Sequence, residues 1–177
     1  MKANTAKPKS MPPKELILER LSYDPDTGIF RRKMKNNRNQ IIGEQAGSLS
    51  SEGYLIIQID KVRYYAHRLA YFLITGKQPM SVDHVNGIRT DNRAENLRSA
   101  SRCENVYNTK KNIRNRSGHK NIHWNWNNRS NKWDVHMNAN RKSHWGGCYS
   151  SLEEAVKACK ALRLKLHGEF ANHGESE

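Results

Sequence analysis

Residues 82–105 can add little to any core, because the run is dense in Asp, Asn and Arg and carries few apolar side chains. Polar density of this kind marks a loop or a site held by a scaffold, since burying so many charged and amide groups is costly. The core must therefore be built from the segments on either side. The chain has 177 residues, which is room for one ordinary domain or two small ones.

Both flanks carry burial patterns. Upstream, Leu16, Ile17, Leu18 and Leu21 give residues 14–21 the spacing of a short amphipathic helix. Asp24-Pro25-Asp26-Thr27-Gly28 is a turn signal, followed by a brief strand at 29–31. Residues 43–53 read as loop. Residues 54–59 alternate as a strand, and 62–66 form its hairpin partner across Asp60-Lys61. A helix is expected over 67–75, apolar on the side of Leu69, Ala70, Phe72 and Leu73 and stopped by Gly76. Downstream, Ser101 followed three residues later by Glu104 predicts a capped helix over 101–111, then a linker.

The tail has a rhythm of its own. Three short strands are expected at 119–126, 132–137 and 143–149, separated by polar turns. Ser151-Leu152-Glu153-Glu154 reads as a capping box, opening a helix with Leu152, Ala155, Val156, Cys159, Leu162 and Leu166 on one face. This stretch contains all four tryptophans (Trp124, Trp126, Trp133 and Trp145). A unit so small needs an aromatic-rich core.

Charge narrows the partners. Lys and Arg number 31 against 17 Asp and Glu, a formal net charge of +14, which draws a protein to polyanions. Between Asn105 and Leu152 the only acidic residue is Asp134. Lys110, Lys111, Arg114, Arg116, Lys120, Arg129, Lys132, Arg141 and Lys142 crowd the same stretch, which suits a phosphate backbone. No apolar run approaches the roughly 20 residues of a spanning helix. Residues 1–13 lack the apolar core of a signal peptide and read as a short disordered basic arm, so a cytoplasmic setting is expected. Cys103, Cys148 and Cys159 are odd in number and form no Cys-x-x-Cys pair, so they are expected to be reduced and structural.

The polar run itself places a hard oxygen ligand, Asp83, beside an imidazole, His84. Phosphodiester hydrolysis needs a base for the water, charge neutralisation on the phosphate, and help for the leaving 3′ oxygen. His84 has the pKa range of such a base, and a cation on Asp83 can supply the other two. An Asp-His pair alone is weak evidence. The longer pattern is Asp83-His84, Asn96 and Asn105, with Asn-Gly-x-x-x-Asp-Asn-Arg-x-x-Asn-Leu-Arg starting at Asn86 and Tyr65-Ala66-His67-Arg68-Leu69-Ala70 before it. Over about 16–111 it resembles the HNH endonucleases of phage and intron type.

That resemblance implies a ββα-metal fold in which a hairpin carries Asp83 and His84 and a following helix brings Asn105 beside them. It implies that Asp83 and Asn105 hold one divalent ion, that His84 activates the water, and that Asn96 holds the loop and orients the imidazole. Many members end the motif in His. Asn105 offers a harder amide oxygen, which favours Mg²⁺ or Mn²⁺. Asn105 can also be an ordinary helix residue. His67 can contact substrate or serve structurally. Arg68, Arg89, Arg93 and Arg98 are candidates for phosphate contacts.

A second resemblance covers about 118–171. Ser117-Gly118-His119-Lys120-Asn121-Ile122-His123-Trp124, Lys132-Trp133, Trp145-Gly146-Gly147, Ser151-Leu152-Glu153-Glu154-Ala155 and Gly168-Glu169-Phe170-Ala171 are similar to the plant ethylene-response-factor DNA-binding domain. That family lays a three-stranded sheet in the major groove of duplex DNA. The resemblance implies contacts from Trp124, Trp126, Arg129, Lys132, Trp133, Arg141, Lys142 and Trp145; the charge of the basic stretch adds Lys110, Lys111, Arg114 and Arg116 as DNA-binding candidates. His123 and Asn125 stand where the plant domains often carry Arg, so base preference does not carry over.

The expectation is an α+β protein with a disordered basic arm at 1–13, a nuclease domain at 14–111 and a linker at 112–117. A small three-stranded sheet plus one helix would follow at 118–171, and then a tail at 172–177. The expected activity is Mg²⁺- or Mn²⁺-dependent hydrolysis of double-stranded DNA by a homing-type, strand-nicking enzyme. The chain is expected to be a monomer, phage-encoded and acting in the host cytoplasm. Two alternatives stay open: a DNA-binding regulator with an inert nuclease half, and a protein that binds or cleaves RNA.

Overall fold

The structure, a computed structural model, describes residues 10–35, 38, 40–109, 111–112, 114–126 and 132–174. Most of the expected basic arm and the last residues of the tail fall outside that range. The chain divides into two compact units, Met1–Ala100 and Ser101–Glu177. The division falls at the cap of the helix expected over 101–111, ahead of the expected linker.

The first unit opens with helix α1 (Lys14–Arg20), which ends because Leu21 turns extended. Strand β1 (Leu21–Tyr23) pairs antiparallel with β2 (Phe30–Arg32). Their turn is held by Asp24, whose Oδ1 accepts the Asp26 amide at 3.0 Å and whose Oδ2 accepts the Thr27 hydroxyl at 2.7 Å. Gly28 closes the turn at φ +72°, where a Cβ would lie 2.5 Å from backbone atoms of Asn92 and Arg93. Only glycine fits there, on grounds of both dihedral and space.

Strands β3 (Ser48–Leu49), β4 (Leu55–Ile59) and β5 (Val62–Tyr65) form an antiparallel sheet in that order. The stretch expected as loop at 43–53 thus contributes a two-residue strand. Asp60 and Lys61 both adopt positive φ (46° and 67°), the twist that a two-residue hairpin requires. Helix α2 (Ala66–Thr75) follows and ends in a left-handed Gly76. Strand β6 (Ser81–His84) pairs with β7 (Leu97–Ala100), joined by a long polar loop that includes a 3₁₀ turn at Ala94–Asn96. The polar run is therefore more than loop and site, because Val82 and Leu97 reach the core. They join Ile17, Leu21, Phe30, Ala46, Ile57, Ile59, Ala66, Leu69 and Ala70 there.

The second unit begins with α3 (Arg102–Tyr107), whose N-terminus is a full capping box of Ser101 and Glu104. It ends earlier than the sequence suggests. Strands β8 (Ile122–Asn125), β9 (Lys132–Ala139) and β10 (Lys142–Tyr149) form an antiparallel sheet with β9 in the middle. Helix α4 (Leu152–His167) lies on it. Ser151 caps α4 by accepting from the Glu153 amide. Ile122, Val135 and Met137 meet Ala155 and Cys159, with Trp133, Tyr149, Leu152, Val156, Leu162 and Leu166 around them.

Arg163 is only 2 % exposed. It donates to the Lys120 carbonyl at 2.7 Å, Asn121 Oδ1 at 3.1 Å and Cys159 Sγ at 3.2 Å. The buried charge is thereby met by acceptors. The Tyr107 ring of α3 stacks flat on His167 at 3.9 Å, and Lys120 Nζ donates to the Tyr107 carbonyl. All three cysteines are free; Cys159 is buried but Cys103 is exposed. Among the described residues no helix is long and apolar enough to cross a membrane.

Candidate active site

Asp83 and His84 end strand β6, and both are 4 % exposed. Successive strand residues point to opposite faces, so the two side chains enter different surroundings. Asp83 Oδ2 accepts from Arg98 Nε at 2.9 Å and Nη2 at 2.8 Å, and Arg98 is its register partner on β7. His84 Nε2 lies 3.3 Å from Asn92 Oδ1. The Asn92 Nδ2 donates to the Thr90 carbonyl at 3.2 Å, so the amide oxygen faces the imidazole. A proton on Nε2 is then donated to that oxygen and the lone pair lies on Nδ1, the arrangement of an oriented base. Burial holds the His84 pKa below its ordinary value, opposed by the Asn92 hydrogen bond and by Asp83 and Asp91. The imidazole is thus neutral at neutral pH.

The loop after β6 is stapled from inside. Asn96 Oδ1 accepts the Asn86 amide at 2.9 Å, and its Nδ2 donates to the Asp91 carbonyl at 2.8 Å. Asp91 binds Arg93 through Nε and Nη2 and also accepts from Asn86 Nδ2. The Arg93 contact is the main reason its pKa falls to about 2. The β1–β2 turn supports the same loop from outside. The Tyr23 hydroxyl donates to the Asn92 carbonyl at 2.8 Å, and the Ala94 amide donates to the Pro25 carbonyl at 2.9 Å.

Behind His84 stands His67, at the start of α2 and 7 % exposed. The two imidazoles meet edge-on with centroids 5.1 Å apart. Tyr54 and Tyr65 close over His67 at 5.0 and 5.4 Å. Burial, then the nearby His84 and Arg68, lowers the His67 pKa to about 3, and its Nδ1 has no hydrogen-bond partner among the described residues.

Arg68, Arg89, Arg93 and Arg98, expected at phosphates, all have internal partners. Arg68 donates to the Pro79 and Met80 carbonyls. Arg89 donates to the Glu52 carbonyl and lies 4.9 Å over the Tyr54 ring. Arg93 pairs with Asp91 and Glu95, and Arg98 with Asp83. Asn105 is half-buried on α3 in the second unit. Among the described residues no three His, Cys, Asp or Glu side chains gather as a metal-binding group.

Residues 64–107 match the HNH endonuclease family. The match supports a DNA-hydrolysing nuclease of the HNH type. It runs from β5 through α2, β6 and β7 to the end of α3, and so includes His67, Asp83, His84, Asn92, Asn96 and Asn105. No curated protein and no solved structure matches the chain.

In the second unit, Arg141 and Lys142 are exposed at the β9–β10 turn, where Asn140 and Arg141 take positive φ. Lys111 Nζ donates to the Gly118 carbonyl at 2.9 Å. Lys132 begins β9. Lys110 and Arg129 lie outside the described residues. Strand alternation separates the tryptophans. Trp124 and Trp133 share the face that carries Ile122 and Val135, whereas Trp145 stands on the open face opposite His136. Asn92 is the site residue that sequence reasoning left without a role of its own. Its only signal was its place between Asp91 and Arg93 in the polar run.

Proposed function

We propose that the chain is a metal-dependent, homing-type endonuclease that nicks duplex DNA, with His84 as general base and the second unit as its DNA-reading module. The buried, oriented His84 beside Asp83, inside the segment that matches the HNH endonucleases, carries this reading. β6, β7 and α3 also follow one another along the chain in the order of a ββα unit.

Asp83 would help hold one Mg²⁺ or Mn²⁺ ion, with Asn105 the further oxygen donor that the HNH pattern names. Their donors are all oxygen, which suits a hard cation, and Mg²⁺ needs only one or two protein ligands beside substrate phosphates and water. Bound there, the ion would supply charge neutralisation at the scissile phosphate and its leaving 3′ oxygen. His84 takes the proton of the attacking water, whose oxygen bonds to phosphorus as the P–O3′ bond breaks; a solvent water protonates the departing 3′ oxygen, leaving a 5′-phosphate and a 3′-hydroxyl. Asn92 fixes the imidazole, and Asn96 keeps the loop in place. The open sheet face of the second unit, with His136, Asn138 and Trp145, would meet the duplex, with Arg141 and Lys142 on phosphates. A monomer encoded by a phage or mobile element, acting in a bacterial cytoplasm, fits one nuclease site per chain.

A second reading, a DNA-binding regulator without cleavage, draws on the Arg98 guanidinium that occupies Asp83. Supercoiled plasmid incubated with Mg²⁺ or with EDTA, beside His84→Ala, separates the two. Open circle that requires both the metal and His84 supports the nuclease. Cleavage by His84→Ala equal to wild type removes His84 from the chemistry, and binding without cleavage on a substrate carrying the target supports the regulator.

A further inference from the structure

The face of the β8–β10 sheet that carries α4 extends beyond the helix. Ile122, Val135 and Met137 are buried against Ala155 and Cys159. Further along that face, Trp124 and its register partner Trp133 meet edge-on with centroids 4.7 Å apart. Trp126 stands 6.4 Å from Trp124, also edge-on, and is 81 % exposed. Together with Arg114 and Arg116 the three indoles line a cleft of about 920 Å³, at the upper end of the roughly 300–1,000 Å³ of small-molecule sites. It is the opposite face from that of Trp145 and His136.

Asparagine side chains brace the arginine side of the cleft. Asn112 Oδ1 accepts the Arg114 amide at 2.9 Å, and Asn115 Oδ1 accepts the Ser117 amide at 2.9 Å. Asn115 Nδ2 donates to the His119 carbonyl at 2.8 Å. Arg114 and Arg116 are exposed and have no ion pair among the described residues. Two exposed guanidiniums beside aromatic walls match a ligand with a flat π-face and an attached anion, which is a nucleotide. In a duplex the faces of the bases are stacked away. Only an unpaired base can present one.

We propose that this cleft binds an unpaired base of a DNA strand stacked on the exposed face of Trp126, with the adjoining phosphates on Arg114 and Arg116. The inference rests on the DNA-reading role of the second unit, but assigns it a second site for single-stranded DNA, separate from the duplex face. Strand ends and frayed bases at a nick are where such a base arises.

The test uses the full-length protein in EDTA, titrated with oligothymidylate twelve nucleotides long and with a duplex hairpin, read by tryptophan fluorescence and by anisotropy of labelled DNA. Oligothymidylate is expected to quench the tryptophan emission. Trp126→Ala should weaken its binding by roughly fivefold to a hundredfold, the worth of one stacked base, with hairpin affinity held within about twofold. Trp126→Phe should restore most of the loss, and Trp145→Ala should weaken the hairpin rather than the oligothymidylate. Unchanged oligothymidylate affinity in Trp126→Ala, or binding of the hairpin alone, overturns the cleft assignment and leaves the duplex-reading role standing. Binding of neither DNA overturns both.

Discussion

His67 gives the sharpest energetic prediction. It is a neutral imidazole packed among Tyr54, Tyr65 and His84, with Nδ1 unpartnered among the described residues. Its pKa is lowered from 6.5 to about 3, chiefly by burial. In the unfolded chain the same group protonates near 6.5. The unfolded state therefore binds the extra proton, and stability falls as pH drops below 6.5, continuing down to about 3. Between pH 7.5 and pH 5 the loss is about 2 kcal/mol, from 1.5 pH units below the unfolded pKa at 1.36 kcal/mol each. For a unit of this size that is roughly 8–16 °C in Tm. His67→Phe keeps an aromatic ring in place and removes the titration, so its Tm should fall less than wild type over that interval, by about the same margin. His84 is lowered for the same reason and titrates in both proteins, so the comparison between them isolates His67. Parallel Tm-against-pH curves for the two proteins would refute the argument.

Three further outcomes follow from the geometry. Arg98→Ala removes a guanidinium from a carboxylate that is 5 % exposed and should cost up to about 3–5 kcal/mol; adding Asp83→Asn should recover part of it, and additive losses in urea unfolding would deny the coupling. Gly28→Ala combines φ +72° with a Cβ 2.5 Å from the Asn92–Arg93 backbone. It should lose at least the roughly 1–3 kcal/mol of backbone strain, and should shift the His84 imidazole resonances by NMR through Asn92; unchanged stability would refute the support role of that turn. Replacing Arg141 and Lys142 together with Ala should reduce the salt slope of duplex binding by up to about two, one per phosphate contact; an unchanged slope means that neither touches the backbone.

What the sequence made legible was local. Ser101 and Glu104 announced their own capping box, and alternation on either side of Asp60-Lys61 announced a hairpin. The three tail strands and α4 lie where their periodicity places them. Asp83-His84 was visible as chemistry because the two residues are adjacent. Partners set by tertiary structure were hidden. β1 is too short to show a period, and its turn acquires a role only because Gly28 meets Asn92 across the fold. Arg98 read as a phosphate ligand, since only the β6–β7 register brings it to Asp83. Nothing in the local sequence marks Arg163 as buried; its acceptors Lys120, Asn121 and His173 come from elsewhere in the chain.

The tryptophans show why composition and resemblance stop short of function here. All four lie in one basic stretch, which invites a single DNA-contacting role. Period-two alternation distributes them differently. Trp124 and Trp133 must share the helix-bearing face with Ile122 and Val135, because shifting either strand by one residue would expose the core. The extra residue at the Trp145–Gly147 bulge resets the alternation on β10. Gly146 permits that bulge, since a Cβ there would meet Val135 at 2.7 Å and Leu162 at 2.8 Å. A side chain at 146 would therefore push the strand off the helix and change how Trp145 is aimed on the open face. The same packing that makes the core fixes which tryptophan faces which ligand.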